Sequence, residues 1–263
     1  MGLLEGKHGV VMGVANEQSI AWACAKACVD EGAALILNYL GEAQEKRVRR
    51  LVEDLPSAHV YPCDVTKDAE IAAFFDFVDN TWGKIDFVIH SIAYADRQDL
   101  TGKFVDTSRA SFAMALDISA YSFVTVSRAA ARLMPDGGSI ITMTYYGSEK
   151  ALPYYNVMGV AKAALEASAR YLAADLGPRN IRVNCVSPGP LKTLSASAIP
   201  GLRLMLDVTE RNAPLRRNVT QDEAAKTAVY LLSDLSSGVT GEVIHVDAGY
   251  HVLGMYGAED IEE

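Results

Sequence analysis

Short apolar runs separated by longer amphipathic or alanine-rich stretches constrain this chain more than any other feature. HGVVMGV (8–14), AALILNY (33–39), AHVYPCDV (58–65), KIDFVIHSIA (84–93), GGSIITMTY (137–145), IRVNCVS (181–187) and GEVIHVDAG (241–249) read as strands. They lack clean apolar/polar alternation, as strands covered on both faces do. Between them, 19–32, 42–55, 68–82, roughly Ser108 to Met134, Asn156 to Leu176 and 220–234 read as helices. This rhythm predicts an α/β fold: a single-domain, Rossmann-type doubly wound parallel sheet of about seven strands with helices on both faces. The domain is expected over 1–256, and the acidic 257–263, without a hydrophobic period, is expected to be a disordered tail.

Composition narrows the function classes. Half of the 263 residues are hydrophobic and the formal charge is −9, which argues for a sizeable core and against nucleic acid or an anionic membrane as partner. No run of about 18 apolar residues suggests a membrane helix. The start, MGLLEGKHGVVMGV, lacks the features of a signal peptide, and Gly6 breaks a myristoylation signal. Cys24, Cys28, Cys63 and Cys185 are read as buried reduced thiols, and no metal site is expected.

GVANEQSIA follows the first strand. Gly13 suits the tight turn of a dinucleotide site, and Ser19 can cap the next helix and offer a hydroxyl to phosphate. The remaining glycines of G-x-G-x-x-G are absent. The second strand ends at NYLGE without an acid or a cation at 38–40, and Lys46 and Arg47 lie on the following helix. The missing cation favours NADH over NADPH. Asp64, closing the third strand, is placed to meet an adenine amino group or to cap the next helix. HSIA (90–93) is small enough for a cofactor to lie close. The segment 189–206, rich in small residues, reads as a lid over a cleft, centred on about 191–206.

TYYGSEKALPYYNVMGVAK (144–162) carries the chemistry. Tyr155 and Lys162 are seven apart. On a helix that is nearly two turns, about 10 Å between Cα atoms on one face. The ammonium is expected to hold a nicotinamide ribose and to lower the tyrosine pKa, leaving the phenol to stabilise a developing oxyanion.

With these residues in place, the chain resembles the short-chain dehydrogenase/reductase superfamily. Its Tyr-x6-Lys spacing, with Tyr145 ten residues earlier, is similar to the divergent branch of bacterial and plastid enoyl-acyl carrier protein reductases. GVANEQSIAW, CDV, HSIAYA, DISAYSF, YNVMGVAKAALEA, RVNCVSPGPLKTLSAS and GEVIHVDAGYH match that family's blocks in its order. The resemblance implies hydride transfer from NADH to the β-carbon of a trans-2-enoyl thioester on acyl carrier protein or a CoA analogue. It assigns Tyr155 to the thioester carbonyl, Lys162 to the ribose and Tyr145 to orienting the acyl group. It assigns Gly13, Ser19 and Ile20 to the pyrophosphate, Asp64 and Val65 to the adenine, and Ser91, Ile92 and Ala93 to the length of the cofactor. Leu191 and Thr193 fall at the carboxamide and phosphates, and Tyr94 and Ala95 in the acyl pocket. It also implies a homotetramer in a bacterial cytoplasm. Tyr146 and Tyr154 match no role and are read as packing or surface residues.

Two departures stand out. Leu40 replaces a polar residue near the adenosine, and the basic docking patch is thin: Arg203, with Lys192, Arg211, Arg216 and Arg217. Two rival readings remain. A carbonyl reductase would want a Ser about a dozen residues before a Tyr-x3-Lys tyrosine, whereas Thr142 stands 13 before Tyr155. A dinucleotide-binding regulatory protein would not need both Tyr155 and Lys162.

Overall fold

Seven strands, His8–Met12 (β1), Ala34–Tyr39 (β2), Ala58–Pro62 (β3), Phe87–His90 (β4), Gly138–Met143 (β5), Ile181–Pro188 (β6) and Val243–Val246 (β7), form one sheet ordered β3-β2-β1-β4-β5-β6-β7. Every neighbouring pair is parallel. The computed structural model describes residues 2–55, 57–194 and 196–255, and the acidic stretch 257–263 lies outside them. The helices are Ile20–Asp30 (α1), Gly41–Val52 (α2), Asp68–Trp82 (α3), Arg97–Thr101 (α4), Arg109–Leu116 (α5), Ser122–Arg132 (α6), Asn156–Leu176 (α7), Leu202–Asn212 (α8) and Gln221–Leu232 (α9).

Side chains alternate across the sheet, and both faces are covered. Val10 and Met12 join Ile36, Val88 and Ile140 in a core with Phe74 of α3, Phe123 of α6 and Leu165 of α7. Val11 joins Leu35, Leu37, Ile89 and Ile141 in a second core with Trp22 of α1, Val48 of α2 and Ala228 of α9. Two-sided burial is why the strands read as unbroken apolar runs. The chain winds outward from β1 to β3, then crosses back to β4. The strand order therefore reverses between β1 and β4, opening a crevice beyond their carboxyl ends.

The expected bounds of α3 and α7 match residue for residue. The single helix expected over 108–134 is instead α5 and α6 joined by a π-helical turn, Asp117–Tyr121. Such a turn inserts a residue without ending the helix. Here it presents Ser119 to the segment after β4: the Ser119 hydroxyl accepts from Tyr94 N at 2.9 Å and donates to Tyr94 O at 3.1 Å. The run Arg109–Arg132 is long and apolar enough by composition to cross a membrane, contrary to the sequence reading. Within it Phe123, Val126 and Ala130 of α6 are fully buried in this fold, whereas Phe112, Met114 and Tyr121 are exposed.

α4 and α8 were not anticipated. α4 is too short to show a period. α8 begins inside the expected lid, after Gly201 with φ 93°. Cys24 and Cys28 pack in the core of α1, where burial pushes the Cys24 thiol up to about 12. Thr220 caps α9 in a capping box with Glu223.

Candidate active site

At the crevice, Gly13 has φ 101°, and a Cβ there would lie 2.1 Å from the Ser91 carbonyl oxygen. The position therefore needs glycine on two counts. Asn38, absent from the sequence reading, holds this turn. Its Oδ1 accepts from Gly13 N at 2.8 Å and its Nδ2 donates to Cys63 O at 3.1 Å, tying the ends of β1, β2 and β3. A polar residue interrupting an apolar strand was the available signal. Ser91 N donates to Met12 O at 2.9 Å, so Ser91, Ile92 and exposed Ala93 border the same crevice.

Ser19 caps α1, accepting from Trp22 N at 3.3 Å, while its own proton goes to Asn16 O at 2.7 Å. The first-turn backbone N–H groups, more than this hydroxyl, are the donors the helix start offers to an anion. Ile20 packs against the cluster holding Leu191, bringing two candidate cofactor residues together. Thr193 Oγ1 accepts from Ala196 N at 3.1 Å, starting the turn before α8. Asp64 does not cap α3, whose first residue follows Lys67. Its Oδ1 accepts from Thr66 N and Thr66 Oγ1 at 3.0 and 2.7 Å, and Lys67 Nζ lies 3.3 Å from Oδ2. Partial burial raises its pKa, but the Thr66 and Lys67 contacts outweigh that and leave it lowered. Val65 is half-buried beside it.

Tyr155 stands at the start of α7, 7% exposed, between two residues with left-handed backbone: Tyr154 at φ 62° and Asn156 at φ 42°. Asn tolerates this conformation; an aromatic residue there is unusual and accompanies functional geometry more than packing. Asn156 Nδ2 anchors the turn to Asp99 O and Gly102 O at 2.8 and 2.9 Å. Tyr145 follows β5 and meets Tyr155 edge-on, ring centroids 5.0 Å apart. Tyr155, Leu100 and Met158 form an apolar cluster with Ala95, Tyr145, Leu152 and Ile199 packed on it. The Tyr145 hydroxyl reaches Met205 Sδ of α8 at 3.9 Å, so α8 and Ile199 before it cover this cluster. Tyr94 is tied through its backbone, but its ring is half exposed with the hydroxyl on Asp96 at 3.0 Å; of the two expected pocket residues, Ala95 joins the cluster.

Lys162, 6% exposed, donates to Met143 O at 2.7 Å. Burial lowers its pKa to about 8, opposed by Cys185 and Glu166. Burial, with Tyr145 and Glu166 adding to it, pushes the Tyr155 phenol well above its ordinary value. The expected lowering by Lys162 is overturned: desolvation of the phenolate dominates. Burial, then Asp247, pushes Tyr145 up to about 12. Both phenols keep their protons near neutrality, as hydrogen-bond donors require.

Two glycines hold the tyrosines together. A Cβ on Gly147 would lie 2.3 Å from the Tyr155 ring, and one on Gly159 would lie 2.6 Å from Gly147 O. His90 is also new: fully buried, it bonds Thr142 Oγ1 at 3.0 Å and Ser122 Oγ at 2.8 Å. Burial, then Lys162, lowers its pKa to about 3, so the ring is neutral. Tyr146 packs edge-on against His245 and Tyr250, as the packing reading expected, and Tyr154 is partly exposed against Gly201. Among the candidate docking cations, Arg217 is paired with Glu223 through Nη1 and Nη2 at 2.9 and 2.6 Å, and Arg216 donates to Arg211 O.

A model of the family described as Enoyl-(Acyl carrier protein) reductase matches residues 13–251. The chain is 58% identical to an enoyl-[acyl-carrier-protein] reductase [NADH] of Rhizobium meliloti, covering 97% of this chain and 93% of that protein. It is 53% identical to the Bacillus cereus enzyme of that name, over 97% and 100%. A crystal structure of the Bacillus cereus reductase with NADP+ and an indole naphthyridinone superposes with TM-score 0.95, at 52% identity over 97% and 100% of the two chains. An Anaplasma phagocytophilum reductase in complex with NAD also gives 0.95, at 49% identity over 98% of each. With the fold, the crevice and the paired tyrosines already in place, these likenesses put the chain in the enoyl-acyl carrier protein reductase family of the short-chain dehydrogenase/reductase superfamily.

Proposed function

We propose that this chain reduces the trans-2 double bond of an enoyl thioester carried by acyl carrier protein, in type II fatty acid synthesis. The carrying observation is Tyr155 set edge-on to Tyr145 in an apolar cluster, with Lys162 on the same helix. The Gly13 turn, closed to any Cβ, and the N-terminus of α1 fit a dinucleotide pyrophosphate. NADH, when bound, supplies the hydride that adds to the substrate β-carbon. The names of the relatives and the absence of a cation at 38–40 support NADH over NADPH.

The chain's own groups do the rest. Protonated Tyr155 donates to the thioester oxygen, where charge develops as the π electrons move toward it. The α-carbon then takes a proton that comes ultimately from solvent, completing the saturated thioester. Tyr145 and the cluster around Leu100 and Met158 orient the acyl chain and exclude water. Lys162 holds the ribose hydroxyls, with Gly13, Ser19, Ile20, Asp64, Val65, Ser91, Ile92, Ala93, Leu191 and Thr193 along the cofactor. The segment 191–206 acts as lid together with α8. The carbonyl reductase reading loses support because Thr142 is committed to His90, inside the fold.

NADH oxidation followed at 340 nm with a trans-2-enoyl-CoA, against acetoacetyl-CoA, tests the reading. Turnover of acetoacetyl-CoA alone would sink it. Lys162 also sets a pH dependence. An ammonium is charged below its pKa, so its charged fraction falls as pH rises through about 8. NADH affinity, measured by fluorescence titration, is expected to be about tenfold weaker at pH 9 than at pH 7, because only the charged form binds well.

A homotetramer accounts for the apolar side chains exposed around α4 to α6: Phe104, Val105, Phe112, Met114 and Tyr121. Light scattering after gel filtration measures the assembly directly; a monomer at micromolar concentration would remove this part of the proposal.

A further inference from the structure

Glu166 lies on α7 one turn beyond Lys162 and is only 8% exposed. Burying a carboxylate is costly unless it is hydrogen-bonded, and an apolar residue would serve packing alone at lower cost. Here two hydroxyls, Thr144 Oγ1 and Ser148 Oγ, both donate to its Oε1 at 2.5 Å, the length of charge-assisted bonds. Thr144 and Ser148 bracket Tyr145. The segment is held at its β5 end by Lys162 on Met143 O at 2.7 Å and by Thr144 N on Val186 O at 2.8 Å. Gly147, between the two hydroxyl contacts, touches the Tyr155 ring and leaves no slack toward α7.

We propose that Glu166 is the positioning residue of this site: through Thr144 and Ser148 it clamps segment 144–148 onto α7, and so sets Tyr145 against Tyr155 in the geometry that orients the enoyl thioester. This rests on the reductase reading above. Lys162 and Glu166, four residues apart, thus grip the same segment from one helix face, one by its backbone and the other by its hydroxyls. The carboxylate also contributes its charge: it raises the pKa of both Lys162 and Tyr155.

The test compares wild type, Glu166→Ala, Glu166→Gln, Ser148→Ala and the double variant Ser148→Ala/Glu166→Ala. Glu166→Ala is expected to lower kcat with enoyl-CoA roughly 10- to 100-fold, the scale of a misplaced orienting group, with NADH affinity at pH 7 little changed. Glu166→Gln keeps an amide oxygen that accepts both hydroxyls, so it retains most of the turnover. Losing the negative charge shifts its alkaline fall in NADH affinity to lower pH. The Ser148→Ala/Glu166→Ala double variant is expected to be no worse than Glu166→Ala alone, since both remove one contact network. A kcat for Glu166→Ala within about twofold of wild type, or Glu166→Gln as impaired as Glu166→Ala, overturns the assignment. If Glu166→Ala does not fold, Ser148→Ala decides, and a wild-type kcat there overturns it too. Wild type failing to turn over any enoyl thioester instead defeats the reductase reading, which separates the two failures.

Discussion

Tyr155→Phe is expected to lower kcat with an enoyl thioester by about 10²- to 10³-fold, the typical loss of one oxyanion donor. Only the hydroxyl goes; the ring that packs on Gly147 and meets Tyr145 stays, so the melting temperature should barely move. KM should change less than kcat, because the hydrogen bond strengthens as charge builds on the thioester oxygen. The pH profile adds a sharper check. Burial raises the Tyr155 pKa, so the phenol stays protonated through the assay range and contributes no alkaline limb of its own. Any limb near pH 8 belongs to Lys162 and should survive in Tyr155→Phe. A variant retaining wild-type kcat would falsify the assignment of the donor to Tyr155, and Tyr145→Phe would then identify the alternative.

Gly159→Ala is expected to destabilise the protein by about 1–3 kcal/mol, the usual cost of overpacking. That corresponds to a fall of roughly 2–12 °C in Tm for a chain of this size. The sign makes this informative. In an open helix position Gly→Ala gains about 1 kcal/mol from propensity alone. At Gly159 the added carbon meets Gly147 O at 2.6 Å, a backbone atom that cannot swing away. Segment 144–148 would be pushed off α7, so kcat should fall with stability. Gly177, at the end of the same helix with open space where its Cβ would stand, is the control. Gly177→Ala should be neutral or slightly stabilising by calorimetry. If Gly159→Ala behaves like Gly177→Ala, the close packing of the two glycines is not what spaces the tyrosines.

The same contact bears on the spacing of the motif. Position 159 is four after Tyr155, where the commoner Tyr-x3-Lys pattern places its lysine. No side chain fits there against Gly147 O. The lysine stands at 162, where it reaches the Met143 carbonyl from the same helix.

Much of the candidate site was legible because its residues follow strand ends. Gly13, Asp64, Ser91 and Tyr145 each come within two residues of the last residue of a strand, and a parallel sheet gathers all such positions along one edge. The Tyr155–Lys162 relation was legible because seven residues on one helix is a local distance. Less legible were features whose partner lies far along the chain: Asn38 on Gly13 and Cys63, Glu166 on Thr144 and Ser148, and His90 between Thr142 and Ser122. Leu40, just past the end of β2, is more than half exposed.

Sequence alone thus determined the sheet and its covered faces, and it singled out the strand ends and the pair Tyr155 and Lys162 as candidates for the site. Hydrophobic period and strand-end chemistry are properties of neighbouring residues, and a single chain displays them directly. Tertiary structure decided the rest: the π-helical turn that presents Ser119, the helix α8 that closes over Tyr145, the glycine contacts that exclude a lysine at 159, and the protonation of the tyrosines. Lys162 was expected to lower the Tyr155 pKa, but burial raised it. Desolvation depends on everything packed around a group, and that surrounding comes from elements scattered from residue 95 to residue 205.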